Sequence, residues 1–157
     1  MDRTMKTITL LSALLIFGAS GASAQPNEFL NVGLRLGWML GDTGGPILGF
    51  EASYTWLDSD TFTHGPVVGA DYHLGDVRIH AGYELVAPRL PIGGIEVGPT
   101  LRVGRNATEL GVHSTVFIGL YGYPYYSATL YGSGVTQEVG AFLKLPVQID
   151  DRPVVNF

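Results

Sequence analysis

From residue 28 onward the chain alternates between bulky apolar residues and small or polar ones with a period of two. Over 28–40 the even positions are Leu30, Val32, Leu34, Leu36, Trp38 and Leu40, while Asn31, Gly33, Arg35 and Gly37 fall between them. Period two marks a strand with one apolar face, and no segment here sustains helical spacing over three turns. The split recurs over 46–58, where Leu48, Phe50, Ala52, Tyr54 and Trp56 oppose Gly49, Glu51, Ser53 and Thr55. Over 64–74, Val68, Ala70, Tyr72 and Leu74 oppose Gly69, Asp71 and His73; over 77–86, Val77, Ile79, Ala81, Tyr83 and Leu85 oppose Arg78, His80, Gly82 and Glu84. Over 93–103, Ile95, Val97, Leu101 and Val103 oppose Glu96, Gly98, Thr100 and Arg102; over 108–121, Leu110, Val112, Val116 and Ile118 oppose Glu109, Gly111, His113 and Thr115. A short, ambiguous segment, 125–131, sets Tyr126, Ala128 and Leu130 against Ser127, Thr129 and Tyr131; the last, 135–147, sets Val139, Ala141, Leu143 and Leu145 against Glu138, Gly140 and Lys144.

Turn residues separate these segments: Gly41 to Gly45, Asp58-Ser59-Asp60, Gly75-Asp76, Pro88 to Pro91, Gly104-Arg105-Asn106, Gly122 to Pro124, and Gly132-Ser133-Gly134. Glycine supplies positive φ and proline a fixed φ where a chain reverses. Reversals this short join antiparallel neighbours. The expectation is therefore all-β: an eight-stranded antiparallel up-and-down barrel, a meander whose closure removes exposed edges. At ~11 residues each, the strands match the ~9–11 that cross a bilayer.

The position of glycine decides which face points inward. Gly33, Gly49, Gly69, Gly82, Gly98, Gly111 and Gly140 sit near the middle of the polar faces. An eight-stranded barrel has an interior just wide enough to be filled by side chains. Small residues suit that crowded lumen; a solvent-facing surface has no need of them. The polar faces are thus expected inside and the apolar faces in lipid, which makes the barrel transmembrane. Trp38, Trp56, Tyr72, Tyr121, Tyr123 and Tyr125 lie near strand ends, where an aromatic girdle belongs. The expected lumen holds Arg35, Arg78, Arg102 and Lys144 with Glu51, Asp71, Glu84, Glu96, Glu109 and Glu138, joined by His73, His80 and His113. Buried charges persist only when paired. An ion-pair network that plugs the lumen is the expectation, with alanine at Arg78 or Arg102 costing roughly 3–5 kcal/mol.

The first 24 residues read as an address rather than as fold. Arg3 and Lys6 precede an apolar run from Ile8 to Gly18, too short to span a membrane as a helix, and Ala22-Ser23-Ala24 has the small-x-small form of a signal-peptidase site. The expected organisation is a cleaved signal peptide over 1–24, a barrel over 25–147, and a short tail over 148–157 ending in Phe157. The chain has 157 residues, no cysteine, and a formal charge of −5. Zero cysteine excludes disulfides, a thiol nucleophile and cysteine-ligated metal. The negative balance argues against nucleic acid as a partner.

The leader, the eight alternating segments, the polar lumen and the terminal Phe157 together resemble the small eight-stranded outer-membrane barrels of Gram-negative bacteria, of the OmpA transmembrane domain and OmpX kind. The resemblance covers 25 to about 147 and is architectural, without a diagnostic motif. It implies an outer-membrane location, contact with outer-membrane lipids and with the assembly machinery during biogenesis, a monomer, and a structural or envelope role. Gln148 to Pro153 departs from the pattern by interrupting any final strand before Phe157.

Chemistry is sparse. Lipid A deacylases of similar size use Ser, His and Glu on the lipid face. Here His113-Ser114 is the neighbouring pair, and alternation puts the two side chains on opposite faces, where no nucleophile–base contact forms. No two histidines stand two apart on one strand, so no metal site is expected, nor any cofactor or catalytic residue. The expected outer connections, 41–45, 75–76, 104–107 and 132–134, are short, which disfavours an adhesin or receptor. The remaining alternatives are a narrow pore for water or small solutes, a lipid A-modifying enzyme, and a soluble lipocalin-like barrel.

Overall fold

Eight strands form, each where the period-two pattern runs. They are β1 (Glu28–Met39), β2 (Gly45–Ser59), β3 (Phe62–His73), β4 (Asp76–Ala87), β5 (Ile92–Val103), β6 (Thr108–Gly119), β7 (Tyr123–Tyr131) and β8 (Gly134–Gln148). The computed structural model describes residues 28–42, 44–59, 62–87, 92–104, 108–119 and 122–149. The leader over 1–24, Tyr121 and Phe157 lie outside the described residues. Each strand pairs antiparallel with its sequence neighbours, and β1 pairs with β8, so the sheet closes in the order β1 to β8.

Closure carries a defined stagger. The register runs from Glu28 to Trp56, His64, Leu85, Ile95, Val116, Tyr126 and Val139, and returns to β1 at Trp38, ten residues beyond its start. A stagger of this size with eight strands tilts them by about 40° to the barrel axis. Strands of 12 residues then rise about 30 Å. One irregularity interrupts the ladders, a register shift between Leu57 and Ser59 against β3.

The polarity is inside-out. Leu34 is 52% exposed, and Leu36, Phe50, Ile79, Val112, Ile118, Leu130 and Leu145 also face outward. Arg35, Glu51, Asp71, Glu84, Glu96 and Glu138 are buried. Among the described strand side chains, Glu28 at the start of β1 is the one carboxylate on the outward parity, and no lysine or arginine shares that face. Trp38 and Tyr72 are exposed near the end formed by the β1–β2, β3–β4, β5–β6 and β7–β8 connections, here the hairpin end. Near the opposite, terminal end, Trp56 packs 5.8 Å from Tyr54 and 5.0 Å from His64, whose Nδ1 lies 2.5 Å from the Tyr83 hydroxyl.

Two details differ from the sequence expectation. The β3–β4 reversal is Leu74-Gly75, with Asp76 already in β4; both turn residues have positive φ, 47° and 98°. That pair of positive φ values fits a two-residue hairpin matching the twist of the flanking strands. The second difference is in the interior, where Phe117, Tyr125, Tyr131 and Phe142 are buried beside the charges.

Glycine on the inner wall makes room for the charged layer. A Cβ at Gly69 would stand 2.5 Å from His80 Nε2 and 2.8 Å from the Phe50 carbonyl oxygen, whereas one at Gly132 would meet nothing within 4 Å. Gly69→Ala is expected to lower stability by about 1–3 kcal/mol through overpacking. Gly132→Ala should stay within about 0.5 kcal/mol. Urea unfolding midpoints of the two variants check the contrast.

Candidate functional site: the charged lumen

Parity places the functional groups, because side chains alternate across a strand and the inner positions of all eight strands converge on one narrow axis. Every residue assigned to the lumen from the sequence points inward. Arg35, Glu51, Asp71, Arg78, His80, Glu84, Glu96, His113 and Glu138 are buried, and Lys144 is nearly so. His73, Arg102 and Glu109 sit further out, partly exposed.

Arg35 and Arg78 share two carboxylates. Arg35 pairs with Glu138 and lies 3.8 Å from Asp71 and 3.9 Å from Glu51. Arg78 reaches Asp71 at 2.5 Å and Glu138 at 2.7 Å. The planar guanidinium fork suits this bridging, since it presents several donors in fixed directions. Lys144, a point charge on a flexible stem, instead bridges Glu51 at 2.6 Å and Glu84 at 2.8 Å. Smaller polar pairs fill the wall: Thr115 Oγ1 donates to Ser127 Oγ at 2.9 Å, and Asn31 Nδ2 donates to Ser53 at 3.2 Å and to Thr55 at 3.1 Å.

The two imidazoles meet across strands. His80 from β4 and His113 from β6 have ring centroids 5.0 Å apart. Both direct Nε2 at the same oxygen, Glu96 Oε1 on β5, at 3.8 Å and 2.6 Å. Spacing within a strand does not reveal this arrangement, because the registers of β4 and β6 against β5 create it.

Tyr123 and Tyr125 require correction. Both belong to the interior rather than to the lipid-facing girdle. Tyr125 is 4% exposed, stacks on Phe142 at 4.5 Å, and accepts a hydrogen bond from Arg35 Nε at 3.2 Å. Tyr123 is half-buried against Phe117 at 6.0 Å. Phe117 and Phe142 complete an inner aromatic group that the sequence reading missed. Arg35 Cζ lies 4.6 Å from the Tyr125 ring, and Lys144 Nζ lies 5.0 Å from Phe142. The signal was available: outward Val116 and Ile118 force Phe117 inward, and outward Ala141 and Leu143 do the same for Phe142.

Buried side chains fill the middle of the lumen. Phe142 is 0% exposed and Arg35 1%. A cavity of about 110 Å³ opens toward the hairpin end, lined by Asp71, His73, Asp76, Arg78, Arg102 and Tyr131 among others. A second, of about 250 Å³, opens toward the terminal end, lined by Asn31, Glu84, Phe117, Tyr123 and Lys144 among others. The buried middle sets the carboxylates Glu51, Asp71, Glu84, Glu96 and Glu138 against the cations Arg35, Arg78 and Lys144. Arg102 and Glu109 neutralise each other at the hairpin mouth, where Ser133 Oγ donates to Glu109 at 3.0 Å.

Solved structures similar to this chain include two designed proteins. One, from the de novo design of transmembrane β-barrels, is 11% identical with a TM-score of 0.47, covering 79% of this chain and 100% of its own. The other, the solution NMR structure of the de novo designed TMB2.3, is 13% identical with a TM-score of 0.47, covering 78% of this chain and 98% of its own. No family model and no curated protein matches the chain.

The geometry separates the two arginines that the sequence treats alike. Arg78→Ala strips a buried partner from Asp71 and Glu138 and is expected to cost roughly 3–5 kcal/mol. The Arg102–Glu109 pair is 27% and 22% exposed, so Arg102→Ala should cost no more than about 1 kcal/mol. Equal urea midpoints for the two variants would contradict this placement.

Proposed function

We propose that the protein is an integral membrane barrel of the outer membrane of a Gram-negative bacterium, similar in kind to the OmpA transmembrane domain and OmpX. Its lumen is sealed, and its role is structural, in the envelope. The observation that carries this reading is the reversed polarity. An apolar outer face tall enough for a hydrocarbon core surrounds a buried set of charges. In water that outer face would far exceed the few hundred Å² of contiguous apolar surface that soluble monomers expose. Aromatic residues near both ends of this face, Trp38 and Tyr72 at one and Trp56 and Tyr83 at the other, suit the two membrane interfaces.

A non-enzymatic role is part of the proposal. His113 is buried in the lumen while Ser114 has the outward parity, so these neighbours lack the contact a nucleophile and its base need. The proposed partners are outer-membrane lipids and the assembly machinery, with the barrel monomeric. A narrow pore is the second reading, favoured by the cavities that enter the lumen from both ends.

Cell fractionation and gel migration test the membrane assignment. The protein should sediment with outer membranes and migrate differently in SDS before and after boiling. Release as soluble periplasmic protein with no shift would replace the proposal with a soluble barrel. In planar bilayers the purified barrel should show no unitary steps; reproducible steps would establish the pore instead.

A further inference from the structure

We propose that the sealed lumen holds one divalent transition-metal ion of the zinc class, ligated by Nε2 of His80, Nε2 of His113 and a carboxylate oxygen of Glu96. The proposal is independent of which membrane the barrel occupies.

Three observations converge on it. The first is the donor geometry. Two imidazole nitrogens and one carboxylate oxygen, all buried, lie within 4.8 Å of one another. Zinc bound at about 2.0–2.1 Å with tetrahedral angles separates its ligand atoms by about 3.3 Å. His80 Nε2 must close slightly from 3.8 Å, and His113 Nε2 must open slightly from 2.6 Å, both relative to Glu96 Oε1. Each of these two is a side-chain adjustment of well under 1 Å, and the two imidazole nitrogens, which lie within 4.8 Å of each other, must also draw together.

The second observation is unused hydrogen-bonding capacity. His80 is 2% exposed, yet neither ring nitrogen has a hydrogen-bond partner among the described residues, and Glu96 Oε2 and His113 Nδ1 also lack one. Buried polar atoms left unpaired cost about 1–3 kcal/mol each, and native structures keep few of them. Metal coordination satisfies His80 Nε2. It also leaves His80 Nδ1 as the N–H donor facing Asp71 Oδ2 at 3.7 Å, the carboxylate–histidine–metal arrangement that fixes a ligand's tautomer.

The third observation is charge. Among the described residues, five buried carboxylates face two buried arginines and the nearly buried Lys144, a deficit of two positive charges when both imidazoles are neutral. Ligand imidazoles must be neutral at the coordinating nitrogen. A divalent ion therefore balances the lumen and leaves both histidines in the form that binds it. Mixed nitrogen and oxygen donors select the zinc class over magnesium or calcium, which take oxygen ligands.

The test uses the full barrel refolded from urea into detergent in the presence of Zn²⁺ or Co²⁺, so that loading does not depend on entry through the closed lumen. After gel filtration, elemental analysis should find about one metal ion per chain, and Co²⁺ should give the d–d absorption of a low-coordinate site. Zn²⁺ should raise the temperature at which the unboiled SDS form is lost, and loading with EDTA present should abolish the rise. His80→Gln and His113→Gln should each weaken binding by more than the roughly 10- to 100-fold that loss of an outer-shell partner costs. His64→Gln, on the outer face, should bind as the unaltered protein does. Migration in cold SDS reports whether each variant folds; if a histidine variant does not, Glu96→Gln removes the ligand charge at constant shape. The proposal is overturned if the unaltered barrel retains no metal, or if folded His80→Gln, His113→Gln or Glu96→Gln retains it undiminished.

Discussion

An eight-stranded barrel leaves room for a single packed layer of side chains along its axis, and this chain fills that layer with charge. Everything else in the structure follows from making such an interior tolerable. An unpaired buried ion costs several kcal/mol, so each must find a partner within a narrow cylinder. The arginines solve this by sharing: Asp71 and Glu138 each contact both Arg35 and Arg78. Lysine solves it by spanning, with Lys144 reaching Glu51 and Glu84 from different strands. Glycine on the inner wall supplies the space, as at Gly69 beneath His80.

The aromatic group at the terminal side of this layer belongs to the same solution. Tyr125 and Phe142 stack on each other, and Arg35 lies over both rings, at 4.6 Å and 5.3 Å. The rings exclude water from one side of the guanidinium while offering their negative faces to it. Excluding water strengthens the ion pairs beyond, because the effective dielectric falls. The plug is therefore an ionic half and an aromatic half joined at Arg35. Removing a ring weakens pairs it never touches.

How much of this was legible in the sequence depends on what sets each feature. Side-chain direction has period two, so parity alone identified the strands and the inward residues from Arg35 to Lys144. Partner identity was not legible. It depends on a stagger of ten residues around the closed sheet, which appears only once Glu28 and Trp38 are brought onto one ring. His80 and His113, on strands that do not pair with each other, meet at Glu96 on the strand between them through the β4–β5 and β5–β6 registers, without any motif along the chain. Tyr123 and Tyr125 face inward although they lie near a strand end, because Tyr126, Ala128 and Leu130 hold the outer face of β7 and parity overrides position. Phe117 and Phe142 were hidden by their neighbours, since Val116-Phe117-Ile118 and Ala141-Phe142-Leu143 blur the alternation into apolar runs.

The two ends of the lumen are unlike, and the difference bears on what the closed middle does. The hairpin-end cavity is lined by Asp71, Asp76, Arg78 and Arg102 together with Met39, Ile47 and Tyr131, so ions from solution meet charged side chains set among apolar ones there. The terminal-end cavity is larger and lined chiefly by Phe29, Val86, Ile92, Phe117 and Tyr123, with Lys144 and Glu84 at its depth. An ion-pair layer open to water on both sides would exchange its partners with solvent and be screened by salt. The rings at one side and the shared arginines at the other leave only part of the layer, Asp71 and Arg78 at one cavity and Glu84 and Lys144 at the other, in reach of solution. In the proposed reading, a sealed lumen and a charge-rich lumen are thus one property. The charges need the seal to hold their geometry, and the seal needs the charges because the outer face has claimed nearly all the remaining apolar residues.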